Sequence, residues 1–252
     1  MSLGPWAVID IETTGVNSAN DEIIDIGYYQ FDGIKLTKNF SSLVRPNNSI
    51  SSFITKLTGI TNQQLKLAPI WESVEPELLE LENHHLIAHN AAFEESFLKR
   101  YFDRLPQNGS RENYNDSLIY LALLFPEAGT LNLEYFMNLL GIADKEEHRG
   151  LADARDLLKV LLVSTYLTHQ DKDLRLKLYE VFLDFSEEFW FKKFFNLSEK
   201  ELIQISDQID FALVEASKRF ILMTKQAPIT EKSMTGFDKT FSGQNIQEIL
   251  RA

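Results

Sequence analysis

The chain has 252 residues, of which 44% are hydrophobic, so its length and composition favour a packed globular core. The absence of cysteine excludes disulfides and thiolate metal sites, and without a long apolar run or a signal-peptide pattern we expect a cytoplasmic protein with no membrane association. The net charge of −12 disfavours tight autonomous binding to long nucleic acid, whereas metal-dependent chemistry on short or tethered acidic substrates is compatible with it.

The first part of the chain predicts an antiparallel sheet. Runs rich in β-branched and aromatic residues predict strands at 6–11, 23–31 and 40–44. Asp32-Gly33 is a hairpin signal between the second and third runs, and Gly15-Val16-Asn17 marks the turn after the first. Three strands in succession predict a meander that begins the sheet.

Short strands alternate with helices through the middle of the chain. An apolar run predicts a strand at 86–88, residues 114–116 end another predicted strand, and a helical pattern follows each of them. The other helices are predicted from apolar periodicity and glycine stops, at 51–57, 71–81, 117–124, 131–140 and 151–167. Strands first, then alternating strands and helices, predict an α/β fold in which helices cover a mixed sheet.

The character of the chain changes after about residue 170, so we divide it into a domain at 5–168 and a C-terminal extension at 169–252. Helices are predicted at 174–195 and from a capping box at Ser198 to about residue 224, followed by a polar tail. Seven aromatic residues are concentrated here, namely Phe182, Phe185, Phe189, Trp190, Phe191, Phe194 and Phe195. We interpret them as packing on the first domain or on each other; the alternative is a docking surface for a protein partner or a second copy of the chain.

Two carboxylates lie one residue apart near the end of the first predicted strand. Because strand side chains alternate between faces, Asp10 and Glu12 project from the same side. Two like charges so close resist burial unless a cation lies between them, so the pair is a candidate for metal binding. The alternative at this point is a solvated strand end with two surface acids.

Two later segments add acidic and imidazole side chains to this candidate site. His89-Asn90-Ala91-Ala92-Phe93-Glu94 places Glu94 in the first turn of a helix, and His148 is followed five positions later by Asp153 at a helix start. A strand end and two helix starts can meet in one cleft, where carboxylates suit Mg²⁺ or Mn²⁺. We interpret Asp116 as a helix cap and His89 as a structural residue of its turn.

In this order, the three segments resemble the signature motifs of the DnaQ-like DEDDh 3′–5′ exonucleases. The residues that carry the resemblance are Asp10-x-Glu12-Thr13-Thr14-Gly15, His89-Asn90-x-x-Phe93-acid and His148-x4-Asp153, and a segment with Arg45-Pro46 and Leu57-Thr58-Gly59-Ile60-Thr61 resembles the family between the first two motifs. The resemblance covers residues 5–168. It implies an RNase H-like fold with a mixed five-stranded sheet flanked by helices, to which this chain adds its C-terminal helical segment.

The resemblance also implies phosphodiester hydrolysis with two divalent metal ions, Mg²⁺ or Mn²⁺. It implies that Asp10 bridges both ions, that Glu12 and Asp153 hold the ion that activates water, and that His148 is the general base. The family's second motif has aspartate where this chain has Glu94, whose carboxylate is one C–C bond further out. As the fourth metal-binding acid, Glu94 either acts through metal-bound water and is tolerated, or weakens the second metal site and favours Mn²⁺.

The function that the resemblance implies is hydrolysis at the 3′ ends of single-stranded or frayed DNA, with release of nucleoside monophosphates. Thr13 and Thr14 would contact the terminal nucleotide, and Asn90 and Phe93 would shape the wall formed by the second motif. One alternative is an RNase acting on short oligoribonucleotides or RNA 3′ tails. An alternative of another class is a catalytically weakened nucleic-acid-binding or adaptor protein, against which the intact acids and histidine argue.

Overall fold

One mixed sheet organises the chain, and the computed structural model describes residues 2–102 and 113–226 of it. Its strands are β1 (Pro5–Thr13), β2 (Ile23–Asp32), β3 (Lys35–Leu43), β4 (His85–Ala88) and β5 (Asn113–Asp116). Their order across the sheet is β3-β2-β1-β4-β5. The pairs β1–β2 and β2–β3 are antiparallel, whereas β1–β4 and β4–β5 are parallel. The predicted mixed five-stranded α/β sheet is confirmed.

Helices cover both faces of this sheet. The described helices are α1 (Ser52–Thr58), α2 (Asn62–Leu67), α3 (Trp71–Leu79), α4 (Ala92–Phe102), α5 (Ser117–Leu124), α6 (Leu133–Leu139), α7 (Gly150–Gln170), α8 (Lys172–Leu183), α9 (Trp190–Phe195), α10 (Glu199–Asp207) and α11 (Leu213–Gln226). Not one of these helices has both the length and the apolar character needed to span a membrane.

The alternation of β1 sends its side chains into two separate cores. Trp6 and Val8 belong to the core shared with α5, α6, α7 and the C-terminal helices, whereas Ala7 and Ile9 belong to the core shared with α3 and α4. Asp10 continues the series of Trp6 and Val8, so its side chain is on the face that α7 covers. The same face of β1 therefore contributes Trp6 and Val8 to the core and, further along the strand, presents the acid Asp10.

The prediction of one helix over residues 174–195 is wrong, because α8 ends at Leu183 and α9 begins at Trp190. The physical reason is the direction of the aromatic side chains. In one straight helix Phe182 and Phe191 would be nine positions apart, or about 180° around the axis. Both are fully buried, and the break allows both to face the same core.

The helix predicted from Ser198 to about residue 224 is also two helices, α10 and α11. Asp210 has a left-handed backbone with φ of 52°, and the N–H of Phe211 donates to the carbonyl of Ser206 at 3.0 Å, which is a helix-terminating geometry. A further helix, α2, was not predicted, although Thr61 and Gln64 form a capping box at its start.

The aromatic residues of the C-terminal segment pack into the core beside β1. Five of the seven are fully buried, and the Trp190 ring lies 5.1 Å from the Trp6 ring. These five therefore support the packing interpretation and offer no surface to a partner. The domain division at residue 168 stays a prediction, and the polar tail beyond residue 226 lies outside the described residues.

Candidate active site

The acids of β1 lie where α7 begins against the backbone of the sheet. Asp10 is paired with Gly27 of β2, and a Cβ atom on Gly150 would lie 2.6 Å from the nitrogen of Gly27 and 2.8 Å from the carbonyl oxygen of Asp10. Only glycine permits this approach, since Cβ atoms do not come closer than about 3 Å to other atoms. The contact places the first turn of α7, which contains Asp153, beside the acids of β1.

Three of the predicted site residues form one group. Glu12, His148 and Asp153 each offer a ligand atom, and these atoms lie within 4.8 Å of one another. The Asp153 carboxylate is oriented by the backbone N–H of Arg149, which donates to it at 2.9 Å. His148 has a left-handed backbone with φ of 51°. Residues other than glycine rarely adopt this conformation, and it often marks functional sites.

Glu94, on α4, interacts electrostatically with the acids of β1. It lies in the first turn of α4 and is 3% exposed, and its Oε2 atom has no hydrogen-bond partner among the described residues. Burial raises the pKa of Glu94 to about 8, and the nearby charges of Asp116 and Glu12 add to the effect. A buried carboxylate oxygen without a partner is costly in its charged form unless a cation lies beside it, so Glu94 is a candidate metal ligand.

Burial and mutual repulsion perturb the other three acids as well. Burial raises the pKa of Glu12 to about 8 and that of Asp153 to about 7, and each is raised further by the charge of Glu146. Burial also raises the pKa of Asp10 well above its usual range, with the Glu94 and Asp153 carboxylates contributing. Four carboxylates that cannot all be charged without a counter-ion are a donor set that fits hard divalent cations.

The structure shows one further acid that sequence reasoning missed. Glu146 is partly buried two positions before His148, and its Oε2 atom is 3.7 Å from the imidazole Nδ1 atom. Its other carboxylate oxygen accepts a hydrogen bond from the backbone N–H of Glu134 at 2.9 Å. Its position two residues before His148 was the only feature of the sequence that could have indicated a role in the site. Without other evidence, an acid in a loop is expected to be exposed to solvent.

An ion pair between a buried carboxylate and a partly exposed guanidinium also supports the site. Asp25 is 1% exposed, and its carboxylate accepts a hydrogen bond from Arg149 Nε at 2.6 Å. Asp25 is the Cα partner of Glu12 in the β1–β2 ladder. Arg149 therefore ties the histidine-bearing loop to the strand opposite the β1 acids, and its charge lowers the pKa of Glu12 against the other influences.

Of the first-motif threonines, Thr13 is the last residue of β1 and Thr14 begins the turn that follows it. Thr13 is buried, and its hydroxyl donates to the carbonyl of Gly15 at 2.5 Å. Thr14 is partly exposed, and its hydroxyl donates to the Asp21 carboxylate at 2.9 Å. Both side chains therefore organise the turn, and their contact with a nucleotide stays a prediction.

The second-motif residues lie at the turn between β4 and α4. Asn90 is exposed with φ of 67°, and its N–H donates to the side chain of Asp116, which also caps α5 as expected. Phe93 is partly buried with its ring 5.0 Å from that of Phe97. His89 Nδ1 is 2.9 Å from the hydroxyl of Ser117, which agrees with its structural interpretation.

A mixed sheet that gathers two buried acids, two half-buried acids and a histidine at the carboxyl end of its central strand defines a nuclease-like site. Residues 7–161 match the family model described as RNase_T, exonuclease. The chain belongs to this exonuclease family, so the resemblance found in its motifs is confirmed.

Curated relatives are long proteins of which this chain matches a part. It is 35% identical over 160 residues to a DNA polymerase III PolC-type of Caldanaerobacter subterraneus subsp. tengcongensis, which covers 63% of this chain and 11% of that protein. It is 27% identical over 225 residues to the 3′-5′ exonuclease DinG of Staphylococcus aureus, which covers 84% of this chain and 25% of that protein. The chain thus spans about a tenth to a quarter of these relatives.

Solved structures share the fold at low sequence identity. The zinc-bound complex of E. coli ExoI with single-stranded DNA has a TM-score of 0.57 and 17% identity over 71% of this chain and 43% of that chain. The nuclease domain of 3′hExo, a DEDDh family member bound to rAMP, has a TM-score of 0.53 and 20% identity over 66% of this chain and 92% of that chain.

Proposed function

We propose that the chain is a 3′–5′ exonuclease that hydrolyses the terminal phosphodiester of single-stranded DNA and releases nucleoside 5′-monophosphates. The observation that carries the proposal is the grouping of Glu12, His148 and Asp153 within 4.8 Å, beside the unpartnered Glu94 carboxylate. The family supports the reaction class. The DinG relative, a 3′-5′ exonuclease, supports the direction of hydrolysis.

The proposed cofactors are two divalent ions, Mg²⁺ or Mn²⁺, held by Asp10, Glu12, Glu94 and Asp153. When bound, these ions supply charge neutralisation at the phosphate and polarisation of the attacking and departing oxygens. Their charge also compensates the four carboxylates, whose raised pKa values reflect burial without a counter-ion.

The protein's own residues then divide the work of hydrolysis. His148 accepts a proton from the water that attacks phosphorus and so acts as the general base. The bond between phosphorus and the 3′ oxygen breaks, and that oxygen takes a proton from solvent to become the new 3′ hydroxyl. The turn held by Thr13 and Thr14 contributes backbone groups that position the terminal nucleotide, while Asn90 and Phe93 line its other side.

The test is cleavage of a 5′-labelled 20-nucleotide DNA, the matching RNA and dinucleotides by the purified chain, with Mg²⁺ or Mn²⁺. We expect a ladder of products shortened from the 3′ end, which EDTA abolishes. Asp10→Asn should remove at least 99% of the activity, whereas Glu95→Gln, at an exposed acid next to Glu94, should leave it unchanged. Cleavage of RNA alone would support the RNase alternative. No cleavage of any substrate with either metal would support the adaptor alternative.

A further inference from the structure

The charge of the chain is strongly segregated, and one segment lacks acids altogether. Residues 33–71 contain five of the 25 basic residues and none of the 37 acidic residues, in a chain whose net charge is −12. This is the longest stretch of the sequence without an acid. Arg45, Lys56 and Lys66 of this stretch are exposed, and the two lysines form no ion pair within the described part of the chain. Any polyanion that reaches this protein is therefore repelled least at this segment.

The same segment exposes several large apolar side chains. Its own small core consists of Ile24, Ile50, Ile54, Ile60 and Leu65. Outside that core, the exposed fractions are 69% for Phe53, 40% for Leu57 and 82% for Leu67. Phe53 and Leu57 are four positions apart and so share one face of α1. An aromatic ring and aliphatic side chains interleaved with lysines are typical of surfaces on which bases stack while phosphates are neutralised.

Direct contacts connect this segment to the catalytic turn. The side-chain amide of Asn47 donates to the Glu22 carboxylate at 2.7 Å, and its backbone N–H donates to the same carboxylate at 2.9 Å. The backbone N–H of Glu22 donates in turn to the hydroxyl of Thr14 at 3.0 Å. The segment's core also includes Ile24, which is adjacent to Asp25, the Cα partner of Glu12. The segment therefore lies beside the end of β1 that carries the acids.

We propose that Arg45, Phe53, Lys56, Leu57 and Lys66 form a binding surface for the single strand that leads into the active site, on the 5′ side of the terminal nucleotide. This inference rests on the proposed function and adds to it a path for the substrate. The chain is acidic and its proposed substrate is a polyanion, so the two repel each other over most of the protein surface. A segment without acids is where the chain binds such a strand with the least repulsion. Stacking on Phe53 is independent of base identity, so the surface selects for single-stranded length rather than for sequence.

The test compares a long substrate with a minimal one. For Phe53→Ala, the ratio of kcat/KM on oligo(dT) of 20 nucleotides to kcat/KM on p-nitrophenyl thymidine 5′-monophosphate should fall about tenfold, as expected for one lost stacking contact. The matched control is Leu176→Ala, which removes an exposed apolar side chain from α8, where the exposed fraction is 61%. An unchanged ratio in Phe53→Ala, with thermal unfolding like that of the parent, would overturn the surface while leaving the exonuclease intact.

A second measurement is independent of catalysis. In fluorescence anisotropy with labelled oligo(dT), the double variant Lys56→Gln/Lys66→Gln should reduce the slope of log affinity against log salt by about 1.4, for two lost phosphate contacts on a single strand. If the parent protein cleaves nothing, the proposed function fails but this measurement still decides the surface. An unchanged slope would overturn the surface and leave the segment to a protein partner.

Discussion

Glu94 allows the electrostatic argument for a metal site to be tested without measuring activity. In the metal-free protein the carboxyl is 3% exposed, and burial raises its pKa from 4.5 to about 8. Between these two values the folded state keeps a proton that the unfolded state has released, so this group makes the free energy of unfolding fall as pH rises from about 4.5 to about 8. Glu94→Gln removes the titration and keeps the shape of the side chain.

The magnitude follows from the same two pKa values. At 1.36 kcal/mol per pH unit, they correspond to a penalty of roughly 4 kcal/mol at pH 8 as an upper bound. We expect relaxation of the site to leave about half of it, so Glu94→Gln should be about 2 kcal/mol more stable than the parent at pH 8 and nearly equal to it at pH 5. Mg²⁺ or Mn²⁺ should reverse the order at pH 8, because a bound cation stabilises the parent acids more than the amide.

The assay is urea unfolding of EDTA-treated protein at four pH values between 5 and 8, followed by intrinsic fluorescence. Glu95→Gln is the matched control, since it makes the same substitution at the neighbouring acid, which is exposed. A Glu94→Gln difference that does not change with pH across this range would refute the reasoning. It would show that the folded protein holds the Glu94 carboxylate charged with the help of some other group.

Three further substitutions test how the site is held together. Arg149→Gln leaves the buried Asp25 carboxylate without its partner and should lower the free energy of unfolding at pH 7 by about 2 kcal/mol, measured by urea unfolding. Gly150→Ala places a methyl group against the backbone of β1 and β2 and should reduce both nuclease activity and thermal stability. Arg175→Ala removes donors to the Thr168 hydroxyl and a backbone carbonyl and should cost about 2 kcal/mol in urea unfolding, while activity per folded molecule is unchanged.

For each of these three variants, a different result would contradict the prediction. An Arg149→Gln protein as stable as the parent would mean that Asp25 takes up a proton at little cost. Gly129→Ala serves as the control for Gly150→Ala, because a Cβ atom on Gly129 meets nothing within 4 Å. Equal behaviour of the two glycine variants would contradict the close approach of α7 to the sheet. Loss of activity per folded molecule in Arg175→Ala would mean that the C-terminal helices act on the site directly.

The parts of the fold that local patterns encode could be predicted from the sequence. The alternation that puts Asp10 and Glu12 on one face, the hairpin at Asp32-Gly33 and the cap at Asp116 each depend on a few neighbouring residues. The residues within 4.8 Å of one another at the site, Glu12, His148 and Asp153, were found by motif order, since 136 positions separate the first from the second.

Three features of the structure were not predicted from the sequence. The buried state of Asp25 requires Arg149, which is 124 positions away, so no local pattern marks it. The break between α10 and α11 leaves the apolar spacing intact, and only the backbone of Asp210 shows it. The break between α8 and α9 was visible in principle, because Phe182 and Phe191 point in opposite directions on one helix, and both could be buried only if the chain turned.

Strand β1 links the aromatic C-terminal helices to the acidic site, because its first half packs against those helices and its second half carries Asp10 and Glu12. Four crowded acids with raised pKa values cost stability in the metal-free protein, and the strand that carries two of them must be held by contacts elsewhere. Trp6 supplies such contacts on the same strand face, since its ring stacks at 4.3 Å on Phe31 and lies 5.1 Å from Trp190. The C-terminal segment thus stabilises, through Trp190, the strand on which Asp10 must hold its position against electrostatic repulsion.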